Sequence, residues 1–189
     1  MHSALSAETP LRDMEMSPEE ESSLSGFGFL SLKPALVVLN LSEGQSAPQL
    51  EYHHRHSLLV DLQGKLEMDM AQLSPEDAEL FMSEYNITEL SLNRMIKLSY
   101  DLLSQHSFFT VGPDECRAWT VRNGAFAPEA AGVIHTDLQK GFIRAEVVAY
   151  DDLIAAGSMN EVKARGKLRL EGKEYPVKDG DILNIRFNL

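Results

Sequence analysis

The chain has 189 residues, 43% of them hydrophobic, and a net charge of -12, enough for one fair-sized domain or two small ones with packed cores. The acid is concentrated early: residues 1–106 hold 6 Lys and Arg against 17 Asp and Glu, residues 107–189 hold 11 against 12, so generic DNA binding is excluded by repulsion of phosphate over the first half. The longest apolar runs, "PALVVLN" and "EVVAY", are far short of the ~20 residues of a membrane span, and no basic-then-apolar signal pattern opens the chain, which points to a cytoplasmic protein without a membrane partner.

Residues 1–16, "MHSALSAETPLRDMEM", have little periodicity and are expected to be extended or mobile unless something outside this chain covers them. "SPEEE" then starts a helix: Ser17 suits the N-cap, Pro18 the first helical position, and Glu19, Glu20 and Glu21 the positive end of the helix dipole. Gly26 and Gly28 end it. "LKPALVVLNLSEG" reads as a buried strand running into a loop, and "HSLLVDLQGK" repeats the pattern. Two such strands predict neighbours in a parallel α/β sheet with functional loops at their carboxyl ends.

Ser74 and Pro75 open a second helix of the Ser-Pro-acidic kind. "TELSLNRMIKLSYDLLSQ" puts Leu92, Met95, Ile96, Leu102 and Leu103 on one helical face, which predicts a core-facing helix. Beyond residue 106 come short strands, "SFFTVG", "CRAWTVR", "GFIRAEVVAY", "KLRLEGKEYPV" and "DILNIRFNL", with helical segments expected over 127–138 and 151–165. That arrangement is α+β, and a β-grasp is its natural form.

Chemistry-bearing motifs are few. Cys116 is the only cysteine, so it frames neither a disulfide nor a zinc site and is expected half-buried beside a strand. His53, His54 and His56 form a titratable loop without the H-E-x-x-H spacing of a metal helix. His135-Thr136-Asp137 lacks a nucleophile context and reads as a helix end or turn. The phosphate-cradling pattern G-x-x-x-x-G-K-[ST] does not occur in this sequence. "NLSE", Asn40 to Glu43, stands where a nucleotide-binding sheet carries its base-recognising loop; an Asn side chain can pair both ways with a base edge and a carboxylate can accept from its N–H groups, although four residues taken alone read first as a plain loop.

The run "GPDECRAWTVRNGAFAPEAAGVIHTDLQKGFIRAEVVAYDDLIAAGS", followed by "GKLRLEGKEYPVKDGDILNIRFN", closely resembles the carboxyl-terminal TGS domain of the YchF, or Obg-like ATPase, family. Upstream, "PLRDMEMSPEEESSLSGFGFLSLKPALVVLNLSEG" resembles the end of that family's helical arm entering its GTPase-like domain. The resemblance implies a remnant of the arm at 1–32, a partial Ras-like parallel sheet with helices at 33–106, and a TGS-type β-grasp at 107–189. It implies a base-recognition loop at Asn40, Leu41 and Glu43, where Glu in place of Asp permits adenine. Lys65 of "DLQGK" falls roughly on the second base-side loop, although the Ser-Ala pair usual there is missing.

The same resemblance implies that what the family places before the arm, the phosphate loop and the switch regions that contact magnesium, is missing from this chain. ATP or GTP would then bind weakly at most, no cofactor would be required, and no metal or catalytic residue would be present. His135 and Lys140 would contact a protein or the ribosome, with Arg144 in the same surface or stabilising the fold. Two readings follow: a non-hydrolysing binding module linked to translation, or one half of a split ATPase or GTPase completed by another chain. A homodimer is a third arrangement.

Overall fold

The computed structural model describes residues 1–85, 87, 89–112 and 114–188, and the chain divides after Leu103 into two compact units. It is a mixed α/β protein.

In the first unit, helix α1 (His2–Ser6) and a 3-10 turn (Leu11–Asp13) precede α2 (Pro18–Ser25). Residues 1–16 are therefore not simply extended. Leu11 is fully buried, Arg12 Nε donates to Ser57 Oγ at 2.9 Å, and the Asp13 carboxylate lies 2.7 Å from His54 Nδ1 while accepting from the Arg55 amide at 2.8 Å. Apolar burial and this polar clasp hold the segment, and both partners lie more than 40 residues away in sequence. Helix α2 starts as its residues dictate: Ser17 Oγ accepts from the Glu20 amide at 3.3 Å and Glu20 answers with a bond to the Ser17 amide at 2.8 Å, a reciprocal cap.

Strands β1 (Ala35–Asn40) and β2 (Ser57–Leu62) pair in parallel, from Ala35 against Ser57 to Asn40 against Leu62. Helices α3 (Gly64–Met70), α4 (Pro75–Glu84) and α5 (Ser91–Leu102) complete the unit. The expected core face of α5 is split. Met95, Leu98 and Leu102 are half-buried, but Leu92, Ile96 and Leu103 are more than half exposed or close to it, at 63%, 50% and 53%. A sheet of two strands is too narrow to cover the whole apolar surface of a twelve-residue helix.

The second unit is a five-stranded mixed sheet, order β4-β3-β7-β5-β6, made of β3 (Gln105–Val111), β4 (Cys116–Arg122), β5 (Phe142–Ala149), β6 (Arg169–Glu171) and β7 (Asp181–Phe187). The central β3 and β7 run parallel and the other pairs antiparallel. One face buries Phe108, Val147 and Leu183 against Ala127, Ala130 and Ala131 of α6 (Ala127–Ile134). Three alanines in two turns let that helix lie close to the sheet. On the other face Val148 and Ile182 pack with Val162 under α8 (Tyr150–Ala156) and α9 (Met159–Ala164).

Each expected helix of this unit is two. The first breaks at His135, whose backbone is extended (φ -163°, ψ 142°) before α7 (Thr136–Lys140). The second breaks at Gly157, with φ 76°, a left-handed conformation that glycine adopts without penalty. Cys116 is exposed, not half-buried, because it opens the edge strand β4.

Asp181 is the buried acid of this unit, 2% exposed. It accepts from the Tyr175 hydroxyl at 2.7 Å, the Lys178 amide at 2.9 Å and Arg169 Nη2 at 3.3 Å, tying the short β6 and its following turn to β7. Burial first, and then donation to Asp181, push the Tyr175 hydroxyl pKa up to about 12.

Candidate functional site

Asn40 closes β1, and its Oδ1 accepts from the Gly64 amide at 3.1 Å. The two loops that follow β1 and β2 are thereby joined. Gly64 has little room: a Cβ there would stand 3.1 Å from Asn40 Oδ1 and 3.2 Å from Leu62 Cδ1. Leu41 turns inward, 8% exposed, and its amide donates to Leu62 O at 2.8 Å. The loop then folds on itself, as the Ser42 amide donates to Gln45 Oε1 and the Gln45 amide to Ser42 O, both at 3.0 Å.

Glu43 Oε1 accepts from the Tyr85 hydroxyl at 3.4 Å. The Glu43 charge is the first cause of a Tyr85 pKa above its ordinary value, and the Tyr85 ring stacks on Phe81 with centroids 4.4 Å apart. Glu43, Leu62, Tyr85 and Arg94 share an open cleft of about 580 Å³. Lys65 is engaged elsewhere, with Nζ 2.6 Å from Asp69 Oδ1 one helical turn on. The structure thus brings Asn40, Leu41 and Glu43 into one loop beside Gly64, with Lys65 on the adjacent helix paired to an acid.

Tyr85, Gly64 and Arg94 were not singled out from the sequence. A signal existed for Tyr85, since Phe81 and Tyr85 are spaced i, i+4 and such rings meet on a helix. Gly64 and Arg94 carried none, because their neighbours come from other elements.

In the second unit His135 caps α7: its Nδ1 accepts from the Asp137 amide at 3.2 Å, with the Asp137 carboxylate 3.6 Å away. The ring remains largely exposed at 65%. Lys140 ends the same helix and is exposed. Gly141 follows because nothing larger fits; a Cβ there would lie 2.5 Å from Asn188 O. Arg144 is exposed on β5, directly opposite Arg186 of β7, and Arg186 is drawn to Glu146 at 2.9 Å. That bond is the first cause of a Glu146 pKa below its ordinary value. No hydrogen bond or ion pair joins His135, Lys140 and Arg144 to one another among the described residues; two bracket α7 and the third lies on the sheet.

The family model YchF-GTPase_C, described as "Protein of unknown function (DUF933)", matches residues 105–188. The Ribosome-binding ATPase YchF of Bacillus subtilis (strain 168) is 41% identical over 196 residues, covering 98% of this chain and 54% of the relative. The same-named protein of Escherichia coli O157:H7 is 40% identical over 186 residues, covering 95% and 51%. Obg-like ATPase 1 of Homo sapiens is 42% identical over 171 residues, covering 85% and 43%. Among solved structures, that of the Schizosaccharomyces pombe YchF GTPase superposes with a TM-score of 0.79 at 29% identity, covering 98% of this chain and 52% of the other. The chain spans about half the length of these relatives. A carboxyl-terminal family match lying on the second unit, and similarity that continues through the first, make this chain a member of the YchF, or Obg-like ATPase, family.

Proposed function

We propose that this chain is a binding and regulatory module of the cytoplasm that acts through its second unit, on the ribosome or a protein associated with translation, and does not hydrolyse nucleotide on its own. The observation that carries the reading is the order β4-β3-β7-β5-β6 with parallel central strands, over the residues that the family model matches. We read this sheet as a TGS-type β-grasp. Relatives named for ribosome binding support the partner. His135, Lys140 and Arg144 form the proposed contact surface, since exposed basic groups on a rigid sheet and helix end can meet a partner without a deep pocket. Residues 33–106 are, in this reading, the base-side part of a Ras-like domain preceded by an arm remnant at 1–32. Asn40, Leu41 and Glu43, with Lys65 nearby, would give a purine site of low affinity for ATP or GTP, needing no metal.

Sedimentation with ribosomes tests the partner. The chain should pellet with them, and Lys140→Glu with Arg144→Glu should leave it in the supernatant with its circular dichroism unchanged. Capture that survives both charge reversals would refute the surface.

A second reading is favoured by the two-stranded parallel sheet. Such strands are normally covered on both faces, yet Val38 and Leu59 are 38% and 37% exposed, and unpaired edges invite another strand. The chain would then be one half of an ATPase or GTPase completed by another polypeptide, or would pair with a second copy. A monomer with full protection of the β1 and β2 amides against hydrogen exchange would exclude it.

A further inference from the structure

The second unit has a cavity of about 360 Å³ lined by Phe109, Ala149, Tyr150, Asp151, Asp179 and Gly180. Phe109 and Tyr150 supply its aromatic lining, with ring centroids 6.0 Å apart and planes inclined by 38°. Its frame is backbone: the Tyr150 amide donates to Gly180 O at 3.0 Å, and the Gly180 amide to Ser107 O at 2.9 Å. Asp179 Oδ1 accepts from the Ser107 amide at 3.1 Å, which fixes that side chain at the cavity. Among the described residues, no Lys, Arg or His pairs with Asp151 or Asp179, and the Tyr150 hydroxyl has no partner.

Two carboxylates without a basic partner, beside two aromatic rings, suit a cation. A metal ion is a poor fit, because hard divalent cations gather six or more oxygens and no group of three or more His, Cys, Asp or Glu among the described residues could hold one. An organic cation fits both features, since ring faces attract it and carboxylates accept its N–H groups. The planar guanidinium does both at once, stacking by its face and donating from its edge. Free arginine would bring its own carboxylate into a negative cavity, whereas an arginine inside a polypeptide would not.

We infer that this cavity receives an arginine side chain presented by a basic polypeptide. This rests on the reading of the second unit as a partner-binding module and names one element that the partner must carry. The site lies apart from the residues assigned to the contact surface above, and it selects by shape and charge together.

The test is a titration of the full isotopically labelled chain with a capped Arg-Gly-Arg-Gly-Arg peptide, followed by NMR, beside its lysine counterpart and free arginine. Saturable shifts confined to Phe109, Tyr150, Asp151 and Gly180 are expected, stronger for the arginine peptide than for either control. Asp151→Asn, at an exposed and unpaired side chain, should weaken binding roughly tenfold with the spectrum otherwise intact, and Tyr150→Leu should do the same. Shifts spread over residues 1–103, equal response to lysine, or indifference to Asp151→Asn would overturn the inference. Because no ribosome is present, its failure is separate from failure of ribosome sedimentation.

Discussion

Asn40 and Gly64 are joined by a 3.1 Å hydrogen bond from the Gly64 amide to the Asn40 side-chain oxygen, which ties the loop after β1 to the start of the helix after β2. The side chain proposed to read a purine edge already has its oxygen engaged. Its amide nitrogen is the group left to meet a base, which suits acceptance by a ring nitrogen.

The first prediction concerns that link. Asn40→Ala should cost the first unit about 1 kcal/mol and remove any fluorescent ATP signal that GTP can displace. Gly64→Ala should reduce the same signal while leaving Asn40 in place, because its Cβ would crowd Asn40 Oδ1. A nucleotide titration unchanged by both variants would show that this loop does not read the base.

A pH prediction follows from the clasp at Asp13. The bond with His54 is the first cause, and the Arg55 amide a further one, of an Asp13 pKa below its ordinary value. A depressed carboxyl stabilises the fold above its unfolded-state value of about 3.9 and loses that contribution as pH falls through its lower folded value. Urea midpoints of the wild type should therefore fall more steeply between pH 5 and pH 3 than those of Asp13→Asn. Parallel curves would mean that the clasp carries no stability.

Asp181 should be the costliest polar site of the second unit. Replacing it with Ala removes the acceptor shared by the Tyr175 hydroxyl, the Lys178 amide and Arg169, and losing three bonds to a buried carboxylate should cost about 3 kcal/mol. Tyr175→Phe removes two bonds, the donation to Asp181 and the acceptance from Arg169 Nη2, but leaves the Asp181 carboxylate with its other donors and should cost about 2 kcal/mol. Chemical denaturation of the three proteins orders these losses, and equal losses would contradict the network.

Gly141→Ala should destabilise the second unit by about 2 kcal/mol, as overpacking against backbone does. The Cβ would press on Asn188 O, so faster amide exchange should appear first at the end of β7. Unchanged exchange there would refute the proposed close contact.

Much of the fold was legible where information is local. Ser17 and Ser74 announced α2 and α4 because N-cap chemistry acts within three residues, and two apolar runs with polar loops gave the parallel pair of β1 and β2. The opening segment was misread because Leu11 and Asp13 gain their order from partners far along the chain. Helix α5 was found, but the burial of its face was overestimated, because periodicity shows that a face is apolar, not whether a sheet is wide enough to cover it. His135 was expected at a helix end or turn, and its ring accepts the capping bond from the Asp137 amide. Of the candidate sites, the Asn40 loop was visible as a motif, whereas Tyr85 and the cavity at Tyr150 arise from residues that only tertiary structure assembles.

The central claim is that this chain binds a translational partner without hydrolysing nucleotide. One sedimentation run with ribosomes and ATP tests it, measuring protein in the pellet and phosphate in the supernatant. The account predicts the chain in the pellet with phosphate no higher than for ribosomes alone. Chain left in the supernatant, or phosphate release that grows with added chain, would contradict it.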